Sequence, residues 1–75
     1  MDAHTIEQLI QEHLPEAEVA VQSADGVHFQ ARVVSSRFDD MPMLKRHRMV
    51  HDALGEALGG DIHALSITAL TPEQA

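Results

Sequence analysis

The sequence predicts an α+β fold, a two-layer sandwich in which helices cover one face of a three-stranded mixed sheet. Two segments space their apolar residues as helices do, and three others have the composition or alternation of strands. The order of these segments along the chain then selects the architecture. At 75 residues the chain is expected to form one domain over 1–75, too small to enclose a deep catalytic cavity.

The first predicted helix runs from about Thr5 to Leu14. Thr5 and Gln8 have the spacing of a capping box, and Pro15 ends the helix. A hairpin of two strands is predicted next, over residues 18–22 and 28–34, with Asp25-Gly26 in its turn.

A second helix is predicted from about Pro42 to Leu58, where Gly59-Gly60 ends it. The third strand is predicted over residues 62–68, and Thr71-Pro72-Glu73-Gln74 is typical of a capped helix start. A helix that joins the second and third strands makes a βαβ crossover, so these two strands are expected to be parallel.

Charge is distributed unevenly along the chain. The net charge is −7, yet residues 32–48 hold five basic residues against two acidic ones, which gives +3. Such a segment can contact an anionic partner locally, while the overall charge opposes bulk association with nucleic acid. A solvated helix face is the simpler interpretation, and the alternative is a nucleic-acid or partner contact made by Arg37, Lys45, Arg46 and Arg48.

The chain contains no cysteine, so disulfides are impossible and nothing indicates an oxidising compartment. No apolar run approaches the length of a membrane span, and a cytoplasmic protein without a membrane partner is expected. Phosphate-binding loops, nucleophile elbows and recognisable carboxylate pairs are missing from the sequence, so we expect no enzymatic activity.

Six histidines are unusual in so short a chain. His28 and His63 each lie at the start of a strand, and parallel strands begin at the same edge of a sheet, so the two imidazoles are candidates to converge there. The alternative follows from strand alternation, which puts the two side chains on opposite faces. His47 and His51 lie four apart on a helix. A zinc pair is conceivable there, although the sequence favours one partly buried histidine among basic neighbours.

Two imidazoles can hold one iron of a [2Fe–2S] cluster when sulfur ligands hold the other iron. Because this chain has no thiolate, any such cluster would take its sulfur ligands from a partner.

Several stretches together resemble the BolA family, and the resemblance looks closest to its compact bacterial members. These stretches are His28-Phe29-Gln30, Val34-Ser35-Ser36-Arg37-Phe38, Arg46-His47-Arg48-Met49-Val50-His51, Ile62-His63-Ala64-Leu65-Ser66-Ile67 and Thr71-Pro72-Glu73-Gln74. The resemblance implies a KH-like (class II) αββαβ fold. It also implies that His63, with His28 as the nearest candidate for the second ligand, holds a [2Fe–2S] cluster shared with a monothiol glutaredoxin and glutathione.

The resemblance implies a second possible role in binding DNA. The helical segment from Arg46 to His51 would then be the DNA-binding segment of a transcriptional regulator of stress and morphology responses. Ala75 stands where the family usually has tryptophan, so the C-terminal helix is expected to be truncated or missing. Alone, the chain is expected to be a monomer or a weak homodimer.

Overall fold

The computed structural model describes residues 2–57 and 64–75. Its elements in chain order are α1 (Ala3–His13), β1 (Glu18–Gln22), β2 (Phe29–Val34), a short 3₁₀ helix (Ser36–Phe38), α2 (Met43–Leu54) and β3 (Leu65–Leu70). In the sheet, β2 lies between an antiparallel β1 and a parallel β3. The predicted αββαβ order and the parallel pairing across the crossover are therefore confirmed.

The two layers follow from the alternation of side chains along β2. Phe29, Ala31 and Val33 are buried, whereas Gln30 and Arg32 between them are exposed on the other face of the sheet. The buried face packs against both helices. The core consists of apolar side chains from both helices, β2, the 3₁₀ helix, β3 and the segment before β1: Ile6, Ile10, Leu14, Ala17, Phe29, Ala31, Val33, Phe38, Val50, Leu54, Leu65 and Ala69. Val19 and Val21 of β1 are partly buried against it.

α1 begins earlier than the sequence predicts. Asp2, not Thr5, is the N-cap residue, because its carboxylate accepts a 2.8 Å hydrogen bond from the Thr5 backbone N–H. At the other end, the Gln11 side-chain amide donates a 2.7 Å hydrogen bond to the carbonyl of Ala17. This bond ties the end of α1 to the segment that enters β1.

α2 ends at Leu54, four residues before the predicted end. Gly55 follows with a φ of 55°, and its N–H donates to the carbonyls of His51 and Asp52. The predicted stop at Gly59-Gly60 lies outside the described residues. β3 extends to Leu70 rather than Thr68, because Leu70 still pairs with Val34 at the end of β2.

After β3, the chain forms a single turn of the kind that starts a helix. The Ala75 N–H donates to the carbonyl of Thr71 at 3.2 Å, and the Gln74 side-chain oxygen accepts from the Thr71 N–H at 2.9 Å. This is the reciprocal bond of a capping box, as the Thr71–Gln74 pattern predicts. No helix among the described residues is both long and apolar enough to cross a membrane.

Candidate functional site

The turn between β1 and β2 is built by the side chains of Ser23 and Asp25. The Ser23 hydroxyl donates to the carbonyl of His28 at 2.6 Å and accepts from the Gly26 N–H at 2.8 Å. Gly26 has a φ of 73°, a conformation that glycine adopts without steric cost. These bonds fix the backbone of His28 directly before the first residue of β2, Phe29.

The side chain of Asp25 holds both the backbone and the imidazole of His28. One carboxylate oxygen accepts from the backbone N–H groups of Val27 and His28, at 2.9 and 2.8 Å. The other oxygen lies 2.9 Å from His28 Nδ1, and both side chains are largely exposed. The hydrogen bond from the imidazole and those from the two backbone N–H groups hold the pKa of Asp25 well below its usual range.

This contact also determines the tautomer of a neutral His28. Asp25 is ionised near neutral pH, since its ordinary pKa of about 3.8 is lowered further here, and an ionised carboxylate only accepts hydrogen bonds. The shared proton therefore belongs to Nδ1 of His28, and Nε2 carries the lone pair. A carboxylate that orients a histidine in this way is a common partner of metal-binding imidazoles.

His28 lies at the sheet edge where the two parallel strands begin. Phe29, the next residue, is paired with Leu65, the first residue of β3. A pocket of about 350 Å³ opens beside it on the exposed side of the sheet, and the polar residues of its lining are Gln22, Ser23, Asp25, His28, Gln30 and Ser66. His63 lies outside the described residues, so its predicted pairing with His28 remains a prediction.

The structure brings three of the four predicted basic contact residues together. Arg37, Lys45 and Arg48 are exposed and line a groove of about 330 Å³ between the end of α1 and one side of α2. Its other lining residues are His13, Leu14, Met41, Met49 and Asp52.

Arg46 was predicted to belong to that contact surface, and the structure shows otherwise. Its residue surface is only 7% exposed, and its guanidinium lies 5.8 Å from the centre of the Phe38 ring. Its nitrogens donate to the carbonyls of Met41 and Ala69 and to the side chain of Gln74. Consecutive residues of a helix point in different directions, and in α2 this places Arg46 inward while Lys45 remains in solvent.

Nothing in the structure supports a zinc pair on α2. His47 and His51 are both half-buried, whereas the sequence favoured one partly buried histidine. Within residues 2–57 and 64–75, no three histidine or carboxylate side chains cluster in a way that could hold a metal ion.

Sequence reasoning missed two polar residues that fix the ends of β2. The first is Asp25, which was predicted only as a turn residue, although its place three residues before a histidine is a usable signal. The second is Ser35, which is 1% exposed, donates to Glu16 at 2.7 Å and accepts from the Arg37 N–H at 3.1 Å. A serine directly after a strand is too common for its burial to be read from the sequence.

Comparison with known proteins agrees with this architecture. A solved BolA homologue from Coxiella burnetii is 40% identical and superposes with a TM-score of 0.83, covering 97% of this chain and 94% of the other. The BolA domain of SufE1 from Arabidopsis thaliana is 33% identical with a TM-score of 0.81, again covering 97% and 94%.

Among curated sequences, the human BolA-like protein 1 is 54% identical over 55 residues. The match covers 73% of this chain and 40% of that protein, so the chain spans less than half of its relative's length. The family described as BolA-like protein matches residues 4–74. With nearly its whole length matched and its fold shared, the chain belongs to the BolA family.

Proposed function

We propose that this chain is a non-enzymatic adaptor that shares a [2Fe–2S] cluster with a monothiol glutaredoxin and its glutathione in iron–sulfur trafficking. The observation that carries the proposal is the exposed imidazole of His28, which Asp25 holds at the edge where β2 and β3 begin. A ligand that must meet a partner needs such an exposed and oriented position.

The donor groups of the chain fit one half of such a cluster. Imidazole nitrogen is an established ligand to one iron of a [2Fe–2S] centre, and in the neutral tautomer that Asp25 favours, Nε2 is the nitrogen of His28 that can bind it. In the sequence, His63 stands two residues before Leu65, the residue that pairs with the neighbour of His28. We therefore assign His63 and His28 as the two ligands from this chain.

The sulfur ligands of the second iron must come from another molecule, because the chain has no cysteine. A monothiol glutaredoxin with bound glutathione supplies one protein thiolate and one tripeptide thiolate, which completes the coordination of both irons. The BolA domain also occurs within a larger protein, since the match to SufE-like protein 1 of Arabidopsis thaliana covers 19% of that protein. A domain that is fused to others is consistent with an adaptor role.

The decisive experiment is an anaerobic reconstitution of the complex from this chain, a monothiol glutaredoxin, glutathione, iron and sulfide. The visible absorption and circular dichroism spectra of the heterocomplex are then compared among the wild type, H63A, H28A and H28C. We expect H63A and H28A to lose the heterocomplex spectrum, and we expect H28C to change it because thiolate replaces imidazole.

The control is H13A with H13C, since His13 is an exposed histidine at the end of α1, and its carbonyl accepts from Arg37 beyond the far end of β2. Both control variants should leave the spectrum unchanged. A wild-type spectrum from H63A and H28A would show that neither histidine is a ligand and would refute the proposed coordination.

A further inference from the structure

We propose that the groove between α1 and α2 binds an acidic segment of a partner protein that also carries an apolar side chain. This basic groove is the one lined by Arg37, Lys45 and Arg48 over a floor of Leu14, Met41 and Met49, with His13 and Asp52 completing it. It is separate from the proposed cluster site, so the inference does not depend on the proposed function.

The floor of the basic groove can accept an apolar side chain. Leu14 belongs to the core and is fully buried, while Met41 and Met49 pack against that core and remain half-buried. Methionine side chains are unbranched and polarizable, and they adapt to the shape of what binds them. The floor therefore offers a deformable apolar surface at the bottom of a depression of about 330 Å³.

The rim of the basic groove is positive on a negative protein. Arg37, Lys45 and Arg48 carry three positive charges against the single carboxylate of Asp52, a local charge of +2, whereas the whole chain carries −7. The Arg37 side chain is also directed to the end of α1, where Nη1 donates to the carbonyl of His13 at 3.4 Å. An acidic segment gains attraction here and is repelled elsewhere, which favours this position.

These features favour an acidic peptide over a nucleic acid. A phosphate backbone uses a row of cations, and Arg46, which would extend the row along α2, is buried and bonded inside the domain. A phosphate backbone also makes no use of an apolar floor between the cations. A segment with carboxylates on both sides of a leucine or phenylalanine would use both the rim and the floor.

The basic groove lies at one end of the sheet, and the proposed cluster site beside His28 lies at the other. His28 precedes the first residue of β2, and Arg37 follows the last, Val34, by three residues. Six strand residues span about 20 Å. The residues that line the groove and the pocket beside His28 do not overlap, so the two are separate surfaces of the domain.

The test is an NMR titration of the isotope-labelled chain with a short synthetic peptide that places glutamates on both sides of a Leu-Leu pair. Three further probes separate the contributions of the apolar floor and of the charged rim. In one peptide serine replaces both leucines, in another lysine replaces the glutamates, and the third probe is a short DNA duplex.

We expect the acidic Leu-Leu peptide to shift the amide signals of Arg37, Lys45 and Met49. The serine peptide should bind at least about tenfold more weakly, which corresponds to the loss of one or two buried apolar groups.

Charge reversal at K45E and R48E should abolish these shifts. R32E is the matched control, because Arg32 is exposed on the other face of the sheet, and it should leave binding intact.

Shifts spread evenly over the surface, equal binding of the lysine peptide, or tighter binding of DNA would overturn the inference. So would groove shifts that depend on protein concentration alone, since they would assign the groove to a second copy of this chain. None of these variants should alter the glutaredoxin heterocomplex spectrum, which keeps the two proposals distinguishable.

Discussion

Arg46 and Gln74 are joined by a 2.8 Å hydrogen bond that ties α2 to the turn after β3. The same Gln74 oxygen accepts from the backbone N–H of Thr71 at 2.9 Å, so one amide serves both elements. Arg46 also donates to the carbonyls of Met41 and Ala69, at 2.8 and 3.1 Å. Among the described residues no carboxylate pairs with the buried guanidinium, and its Nε and Nη1 donate to neutral oxygens instead.

Replacing Arg46 with methionine should destabilise the domain by about 3 kcal/mol, because it removes the hydrogen bonds that the guanidinium donates to the Ala69 carbonyl and the Gln74 side chain. The methionine fills much of the volume, so the change isolates the lost hydrogen bonds. Urea unfolding followed by far-ultraviolet circular dichroism measures the difference. R48M is the matched control on the same helix and should change stability by no more than about 0.5 kcal/mol, since Arg48 is exposed. Equal losses for the two variants would contradict the internal role of Arg46.

Replacing Ser35 with alanine should cost about 1 to 2 kcal/mol. The hydroxyl is buried at the end of β2, where it donates to Glu16 and caps the Arg37 N–H at the start of the 3₁₀ helix. Ser36 is the adjacent serine and is exposed, so S36A should have almost no effect on the unfolding free energy. If S36A proved as destabilising as S35A, the buried hydrogen bonds of Ser35 would not be the cause.

Much of the fold is determined by patterns that the sequence displays. Alternation over residues 18–22 predicted β1 with its observed bounds, and the chain order predicted the parallel pairing of β2 with β3. The ends of elements were less predictable, because side chains decide them. Asp2 extends α1 toward the N-terminus through one hydrogen bond, and Gly55 ends α2 before the glycine pair does.

The candidate site was predictable only in part. A histidine at the start of β2 is visible in the sequence, but its Asp25 partner depends on how the turn folds the two side chains together. The inward direction of Arg46 could not be read from the run Lys45-Arg46-His47-Arg48, since helical spacing alone does not show which of these residues faces the core. The hydrogen bonds of Arg46 to residues outside α2 hold its side chain inward.

The carboxyl group of Asp25 should titrate below its ordinary pKa of about 3.8, because the hydrogen bonds from His28 and Val27 stabilise the ionised form. Because the pKa is lower in the folded state, the ionised carboxylate stabilises the fold fully at pH values above its pKa in the unfolded chain. The contribution is then lost as the pH falls below about 3.8 and through the folded value. Side-chain carboxyl NMR signals recorded against pH measure the midpoint. In H28A the Asp25 midpoint should rise toward its ordinary value, and an unchanged midpoint would exclude the imidazole as a cause.

Replacing Asp25 with asparagine should release the imidazole of His28 from its fixed tautomer. An amide can donate as well as accept, so it no longer requires the proton to remain on Nδ1, and a mixture of tautomers is expected near neutral pH. Imidazole nitrogen NMR signals of the free chain report this change directly, and a purely structural role for Asp25 would not produce it. Because loss of an orienting carboxylate typically weakens metal binding about 10- to 100-fold, D25N should also lower the yield of the glutaredoxin heterocomplex. D39N removes an exposed carboxylate far from the turn and should leave both measurements unchanged. If D25N altered the yield while His28 kept a single Nδ1-protonated tautomer, the carboxylate would act on the backbone of the turn rather than through the imidazole.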